Sequence, residues 1–465
     1  MLAVLAGTDQ GVSALELAVS ASSGTAPDQR WGSAAGRSHT ALADATDATA
    51  RGGRDGALPG LGELPAEQTD SVTRLPSTAK PPEPGAVQKV PSPGIAAPQG
   101  FDSKRSKELK GERTAQERTY LNPDGTRTTR FYNEQVNFQA KDGSWKPINN
   151  TLVPRQDAGP STMSAAEDGW ETQSTESAIE FAGTADADPV VRMGVDEDVS
   201  VGYGVDGAAA APGQADGSTL TYEDVRPYSD VEFVAGSDSV KETLVLKDSD
   251  APTEWRFPLE LAGLRAQIDE HGNVTFVDAD GTVRAWTPAG WMQDSNIAPD
   301  SNEGAISSGV SYSLAEEDGR QVLVVTLDKG WLTAPERVFP VRVDPSVKSV
   351  DATSGTYVEY PYNSNFATDK VLKVGTYDGG SHKAAAFLRF SGLESTLKNA
   401  WVLSANLALY NSFSQSCTKR PVTVHPITSN WAESTTSKWP GPATGSSLAS
   451  KSFAHGWRPE VSLPS

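Results

Sequence analysis

The sequence predicts an all-β chain: an antiparallel β-sandwich platform followed by a jelly-roll-like β-sandwich, both preceded by a disordered leader and linker. Three observations carry this. From about Arg118 onward, short runs rich in β-branched and aromatic residues follow one another with turn residues between them, and no long amphipathic helix intervenes. The 465 residues include 42 Gly, 31 Pro and 11 Trp against 4 Met, which is the composition of turns and aromatic-rich sheets. Asp124-Gly125 and Asp142-Gly143 each sit between alternating segments, where tight hairpin turns need positive φ.

Length and charge bound the rest. A chain of this size holds about two to three domains. Its formal net charge of -20 repels phosphate, so nucleic acid and anionic membrane surfaces are poor partners. The lone cysteine, Cys417, excludes a disulfide framework within the chain and a zinc site built from cysteines.

In chain order, residues 1–100 read as leader and Pro/Gly/Ala-rich linker. The first twenty, MLAVLAGTDQGVSALELAVS, carry a short apolar run, but no Lys or Arg precedes it and Asp9 and Glu16 interrupt it, which does not make a convincing secretory signal. They read either as the remnant of a leader whose start lies upstream or as a disordered end. From Ser20 to Gly100 too few large apolar residues are present to offset the entropy of ordering, and the Pro-rich half is an extended spacer. Pro81-Pro82-Glu83-Pro84 lacks the flanks of a polyproline ligand. Residues 101–118 form a charged linker or short helix. Glu108, Glu112 and Glu117 interleave with its basic residues and disfavour a nucleic-acid patch. No run approaches the roughly 18 apolar residues of a spanning helix, so no membrane span is expected.

Residues 119–348 read as the platform. Strand signals recur at Leu220–Val225, Asp230–Val234, Val240–Leu246, Glu254–Leu261, Asn273–Trp286, Gln321–Asp328 and Val338–Asp344. Residues 349–465 form the second sandwich.

Catalytic patterns are weak. His39, His271, His382, His425 and His455 have no metal-ligand spacing, and no G-x-S-x-G elbow occurs. Asp278, Asp280 and Gly281 resemble half of a calcium loop, but the later bidentate Glu is missing and a hairpin turn explains them more simply. Asp196, Glu197 and Asp198 read as an acidic surface loop. A glycosidase needs two facing carboxylates, which 60 acidic residues do not single out. No catalytic residue, metal or cofactor is therefore nominated.

Aromatic residues form the other constellation: Tyr357, Tyr360 and Tyr362, then Trp401, Tyr410, Trp431 and Trp439. Exposed rings stack on the apolar faces of sugars, whereas buried ones fill cores, and the second case is commoner. Strand alternation turns Tyr357 inward with Leu407 and Leu409, and turns Tyr360 and Tyr410 outward. The candidate glycan-binding residues are Tyr360, Tyr362 and Tyr410.

Several pieces of residues 351–457 together resemble the DNRLRE-type sandwich, a carbohydrate-binding-module-like, disaggregatase-related domain. They are DATSGTYV, YNSNF with LKVGTYDGG, FLRFSGL, LSANLALYNS, TSNWAES and FAHGW. The family's jelly roll continues past the last of these, so the domain is expected to be incomplete here, and Cys417 reads either as paired with a cysteine in the missing segment or as a free thiol. Upstream, the stretch from Glu117 through LNPDGTRTTRFYN and KDGSWKPINN, then FVDADGTVRAW and FPVRVDPSV, resembles the platform of secreted actinobacterial Rhs/YD-repeat polymorphic toxins. The resemblance implies a secreted or cell-wall-associated, non-enzymatic scaffold, the front part of a longer toxin-like protein. Cell-wall or extracellular polysaccharide is its expected partner. The alternative is a secreted hydrolase with an unrecognised site in the middle domain.

Overall fold

The computed structural model describes residues 2–6, 10–22, 100–155, 169–176, 178–196, 198–298, 303–349, 354–369, 371–390, 392–398, 400–415 and 418–454. The chain divides into two units, and the second of them, 24–76, lies outside the described residues. The described structure is all-β, with two short helices, Lys329–Leu332 and Leu393–Leu397, among the described residues.

Alternation builds the platform. In Glu254–Ala262 the side chains of Trp255, Phe257 and Leu259 are buried while Arg256 between them is partly exposed. In Ser229–Ala235, Val231 and Phe233 turn inward and Asp230 and Glu232 outward. Each such strand has one apolar face that must meet another sheet. One sheet runs Val310–Glu317, Arg320–Leu327, Glu254–Ala262, Val199–Tyr203, Val191–Asp196, Ile179–Phe181, Trp170–Ser174, Asn149–Pro154. The other runs Gly213–Asp216, Thr219–Arg226, Ser229–Ala235, Ser239–Leu246, Val347–Ser349, Val283–Thr287, Val274–Val277, Arg265–Ile268, with Val341–Asp344 beside Ser239–Leu246. Trp255, Phe257 and Tyr203 from the first sheet share one core with Leu220, Tyr222, Phe233 and Leu244 from the second.

The turns follow the chemistry read from sequence. Gly125 and Gly143 adopt φ of 83° and 78°. Asp124 and Asp142 brace these turns by accepting from the amides of Thr126 and Ser144. Asp278 does the same between Val274–Val277 and Val283–Thr287: its Oδ1 accepts from the amides of Asp280 and Thr282, and its other oxygen faces Arg284. The half calcium loop is thus a hairpin turn whose carboxylate is engaged. Asp196 also pairs with Arg284, and Glu197 lies outside the described residues.

The C-terminal sandwich has a five-stranded sheet in the order Ser354–Tyr360, Lys383–Arg389, Leu2–Ala6, Arg420–Pro426, Ala449–Phe453. Facing it is a sheet in the order Leu372–Val374, Gln10–Ser22, Arg127–Tyr132, Glu117–Leu121, Lys107–Glu108, with Trp401–Ser414 along the other side of Gln10–Ser22. Tyr357, Phe366, Leu372, Val374, Ala386, Leu388 and Phe131 form the core between them. Two departures from chain order stand out. Leu2–Ala6 and Gln10–Ser22, inside the stretch read from composition as leader, run as strands. Glu117–Leu121 and Arg127–Tyr132, which the sequence reading divides between the charged linker 101–118 and the platform from 119, pair into this second sandwich. Local composition carries no information on partners several hundred residues away.

Platform and sandwich are fastened by buried polar contacts. Lys241 pairs with Asp344 at 2.9 Å and donates to the carbonyl of Thr368, whose hydroxyl donates back to Asp344. Lys348 reaches Glu433 at 3.2 Å, and Trp291 meets Phe366 edge-on.

Candidate functional site: an aromatic end of the second sandwich

Alternation along Ser354–Tyr360 sorts its rings. Tyr357 is fully buried and stacks on Phe366 with 4.4 Å between ring centroids, and its hydroxyl donates to Asp369. Val358 faces the opposite side of the sheet, where it joins Ala385, Phe387 and Trp431, with Trp439 packed alongside. Trp431 and Trp439 therefore fill core, as the commoner reading of such rings holds. Tyr360 ends the strand 48% exposed. Tyr362, two residues on, is half-buried against the inter-sheet core. Tyr410 lies in the opposite sheet on Trp401–Ser414, and its side chain is outside the described residues.

The structure adds residues that the sequence did not single out. Tyr360 is the ladder partner of Lys383, which places it beside the turn 376–382. That turn runs through Gly379 and Gly380 with φ of 72° and 102°, values that a side chain resists. It brings Asp378 and His382 together: an oxygen of Asp378 lies 2.5 Å from Nδ1 of His382, and Asp378 also accepts from the His382 amide. The His382 ring sits between two tyrosines, stacked on Tyr377 at 5.3 Å and tilted against Tyr362 at 5.9 Å. Burial works against the Asp378 charge, but the amide and ring of His382 hold its carboxyl below the usual range. Burial pushes the hydroxyls of Tyr362 and Tyr377 upward, helped by Glu359. Both rings therefore stay neutral donors at physiological pH. The signal in sequence was Tyr377-Asp378-Gly379-Gly380-Ser381-His382, an Asp/His pair spaced across a Gly-Gly turn; a search for metal spacings passes over it.

Beneath this end lies a buried cation. Lys373 is flanked by Glu359 at 3.0 Å and by Glu303 from the platform, and its ammonium lies 4.9 Å from the centre of the Tyr357 ring. Burial disfavours that charge, yet Glu303, Tyr357 and Glu359 outweigh it and hold the ammonium well above its ordinary value. The aromatic end thus rests on a charged, fully engaged floor that joins both sandwiches.

The other histidines are occupied or undescribed. Nδ1 of His425 faces the Gly445 carbonyl and Nε2 faces the Thr423 hydroxyl, while the His271 amide donates to Asp269 in a turn. His39, His455 and Cys417 lie outside the described residues. Among the described residues, no group of three or more His, Cys, Asp or Glu side chains is arranged to hold a metal ion. No helix is long and apolar enough to cross a membrane among them.

Comparison with known proteins bears on this end of the chain. Residues 346–457 match the model of carbohydrate-binding module family 96, so the second sandwich is a carbohydrate-binding-module-like domain. Three curated proteins are similar over 217 residues at 33% identity. They are the tRNA(Glu)-specific nuclease WapA of Bacillus subtilis subsp. natto, the tRNA3(Ser)-specific nuclease WapA of Bacillus spizizenii and the tRNA nuclease WapA of Bacillus subtilis strain 168. The match covers 44% of this chain and 9% of each relative, so the chain spans about a tenth of their length. No solved structure matches.

Proposed function

We propose that this chain is a non-enzymatic, extracellular attachment segment that holds cell-wall or extracellular polysaccharide through the aromatic end of its second sandwich. The observation that carries this is the group Tyr362, Tyr377 and His382, with Asp378, in a carbohydrate-binding-module-like domain, together with the half-exposed Tyr360, which ends the adjacent strand opposite Lys383. Partly exposed rings offer a sugar an apolar face, and neutral tyrosine hydroxyls with a fixed Asp/His pair offer directed hydrogen bonds. Tyr360 and Tyr362 are the primary contacts in this reading.

The similarity to WapA nucleases supports placing the chain at the front of a larger toxin of the Rhs/YD-repeat type, with a DNRLRE-type second sandwich. The net charge of -20 favours assigning nuclease chemistry to other parts of such proteins and attachment to this one. Secretion follows from that role.

The test is retention of the purified protein on insoluble cell-wall polysaccharide and on a polysaccharide array. Tyr360→Ala should lower retention at least tenfold while thermal unfolding stays close to the parent; Tyr362→Ala should lower retention as much, with a loss of stability from the packing it removes, and Tyr362→Phe should keep that packing. A parent protein retained on no polysaccharide overturns the proposal.

A further inference from the structure

The five-stranded sheet has a slot one strand wide. Lys383–Arg389 and Arg420–Pro426 do not pair with each other; each pairs outward, with Ser354–Tyr360 and Ala449–Phe453 respectively, and inward with Leu2–Ala6. The occupant runs antiparallel to both neighbours. Leu2 stands opposite Leu388 and Pro426, Val4 opposite Ala386 and Val424, and Ala6 opposite Val422.

The walls of the slot set what can fill it. Ala384 through Leu388 are all buried. Ala386 and Leu388 belong to the inter-sheet core, and Ala385 and Phe387 to the cluster with Trp431 on the other face. A strand entering beside them meets covered surface on both faces at that edge, which favours apolar residues throughout; beside Arg420–Pro426 one row is Val422 and Val424, and the other, Thr423 and His425, is polar and partly exposed. Leu2-Ala3-Val4-Leu5-Ala6 is apolar throughout.

The second sheet makes an independent demand. Gln10–Ser22 is the ladder partner of Trp401–Ser414 along almost its whole length, and its other edge takes Arg127–Tyr132 and Leu372–Val374. Here one row is apolar. Leu15 stands opposite Leu409, and Leu17 opposite both Leu407 and Phe131; Phe131 lies in the inter-sheet core, and Leu407 and Leu409 pack against it. Glu16 stands on the alternate row, opposite Tyr132. A half-covered sheet requires that alternation, and Leu15, Leu17 and Val19 supply it. One short stretch thus carries in its sequence an unbroken apolar run, Leu2–Ala6, and an alternating one, Leu15, Leu17 and Val19, and the register seats them in the two different sheets.

We propose that residues 2–22 are a donor segment and the second sandwich its acceptor: the domain is completed by strand complementation from the far end of its own chain. The connection, residues 23–106, is long, so ladder pairing decides which sandwich is entered, and the tether favours the chain's own at low concentration. The donor secures the free edge of Lys383–Arg389, the strand into which the 376–382 turn leads.

The test uses the full chain with Cys417→Ser to remove the native thiol, and Val4→Cys with Ala386→Cys. Directly opposed positions in an antiparallel ladder lie within disulfide reach. Mild oxidation of dilute protein should convert nearly all of it to an intrachain crosslink, seen as a shift on non-reducing gels with no change in oligomeric size. Pairing Val4→Cys with Asp250→Cys should give none. Val4→Pro, which removes one ladder donor, should lower the crosslinking of a neighbouring Leu2→Cys/Leu388→Cys pair several-fold. Absence of the Val4/Ala386 crosslink overturns the proposal. So does a crosslink found only between copies, which assigns the slot to a second chain.

Discussion

Glu242 offers the sharpest test of the platform. It lies between the two sheets, 2% exposed, and its Oε1 makes no hydrogen bond within the protein. Burial pushes its carboxyl up to about 8, with Asp344 adding to the rise and Tyr203 opposing it. In the unfolded chain the same group ionises near its ordinary 4.5. Between those values unfolding releases a proton, so the stability this group permits is complete below pH 4.5 and falls until pH passes the folded value near 8. At about 1.4 kcal/mol per pH unit, the loss is about 1 kcal/mol at pH 5, about 3 at pH 7 and approaches about 5 above pH 8. Glu242→Gln removes the ionisation and keeps the shape. Urea unfolding followed by tryptophan fluorescence at pH 5, 6, 7 and 8 should show the variant gaining on the parent by about 2 kcal/mol between pH 5 and pH 7. Parallel pH profiles for the two proteins would refute the assignment of a buried, neutral Glu242.

Three further outcomes follow from contacts described above. Lys373→Met leaves Glu359 and Glu303 without their shared cation, and thermal or urea unfolding should show a loss of about 3–5 kcal/mol, the usual cost of breaking a buried pair from one side. Tyr360→Ala should change stability by less than about 0.5 kcal/mol because its ring is half in solvent. Tyr357→Ala, by contrast, should cost about 3–5 kcal/mol through the cavity it opens beside Phe366, a contrast read by the same melting assay. Millimolar calcium should leave the melting temperature of the parent and of Asp278→Asn unchanged, since turn amides and Arg284 already engage that carboxylate; a shift in the parent that the variant lacks would restore a calcium site.

Much of the fold was legible because its determinants are local. Alternation at Trp255, Phe257 and Leu259, and Gly at the αL positions 125, 143 and 281, are decided within a few residues, so strands and hairpins could be read directly. The rings of the second sandwich were half legible: period-2 reasoning turned Tyr357 in and Tyr360 out, but it gave no access to Trp431 and Trp439, which lie outside regular strands and fill core from a loop. The His382–Asp378 pair was hidden because its chemistry depends on a Gly-Gly turn closing. Strand order was the least legible. Leu2 opposite Leu388 and Glu117 beneath Thr396 are pairings that composition cannot announce, and a short apolar run interrupted by Asp9 and Glu16 reads naturally as a failed leader.

The same long-range pairing determines how portable the second sandwich is. The family-matched stretch, 346–457, contains neither Phe131 from the inter-sheet core, nor the strands Leu2–Ala6 and Gln10–Ser22, nor Glu303 beneath the aromatic end. Produced alone, it has Lys383–Arg389 and Arg420–Pro426 with an empty slot between them, and Lys373 with half of its anionic partners. Open ladder edges and an uncovered core face favour association or loose packing. The isolated stretch should therefore bind a hydrophobic dye, show weak near-ultraviolet dichroism and lack a cooperative melt, while the full chain shows a sharp one. Adding a peptide of residues 1–22 together with the segment 100–155 should recover part of the near-ultraviolet signal. A cooperative melt and full tyrosine dichroism from residues 346–457 alone would show that the module is self-sufficient, and that the contributions of Phe131, Glu303 and the N-terminal strands are incidental to its fold.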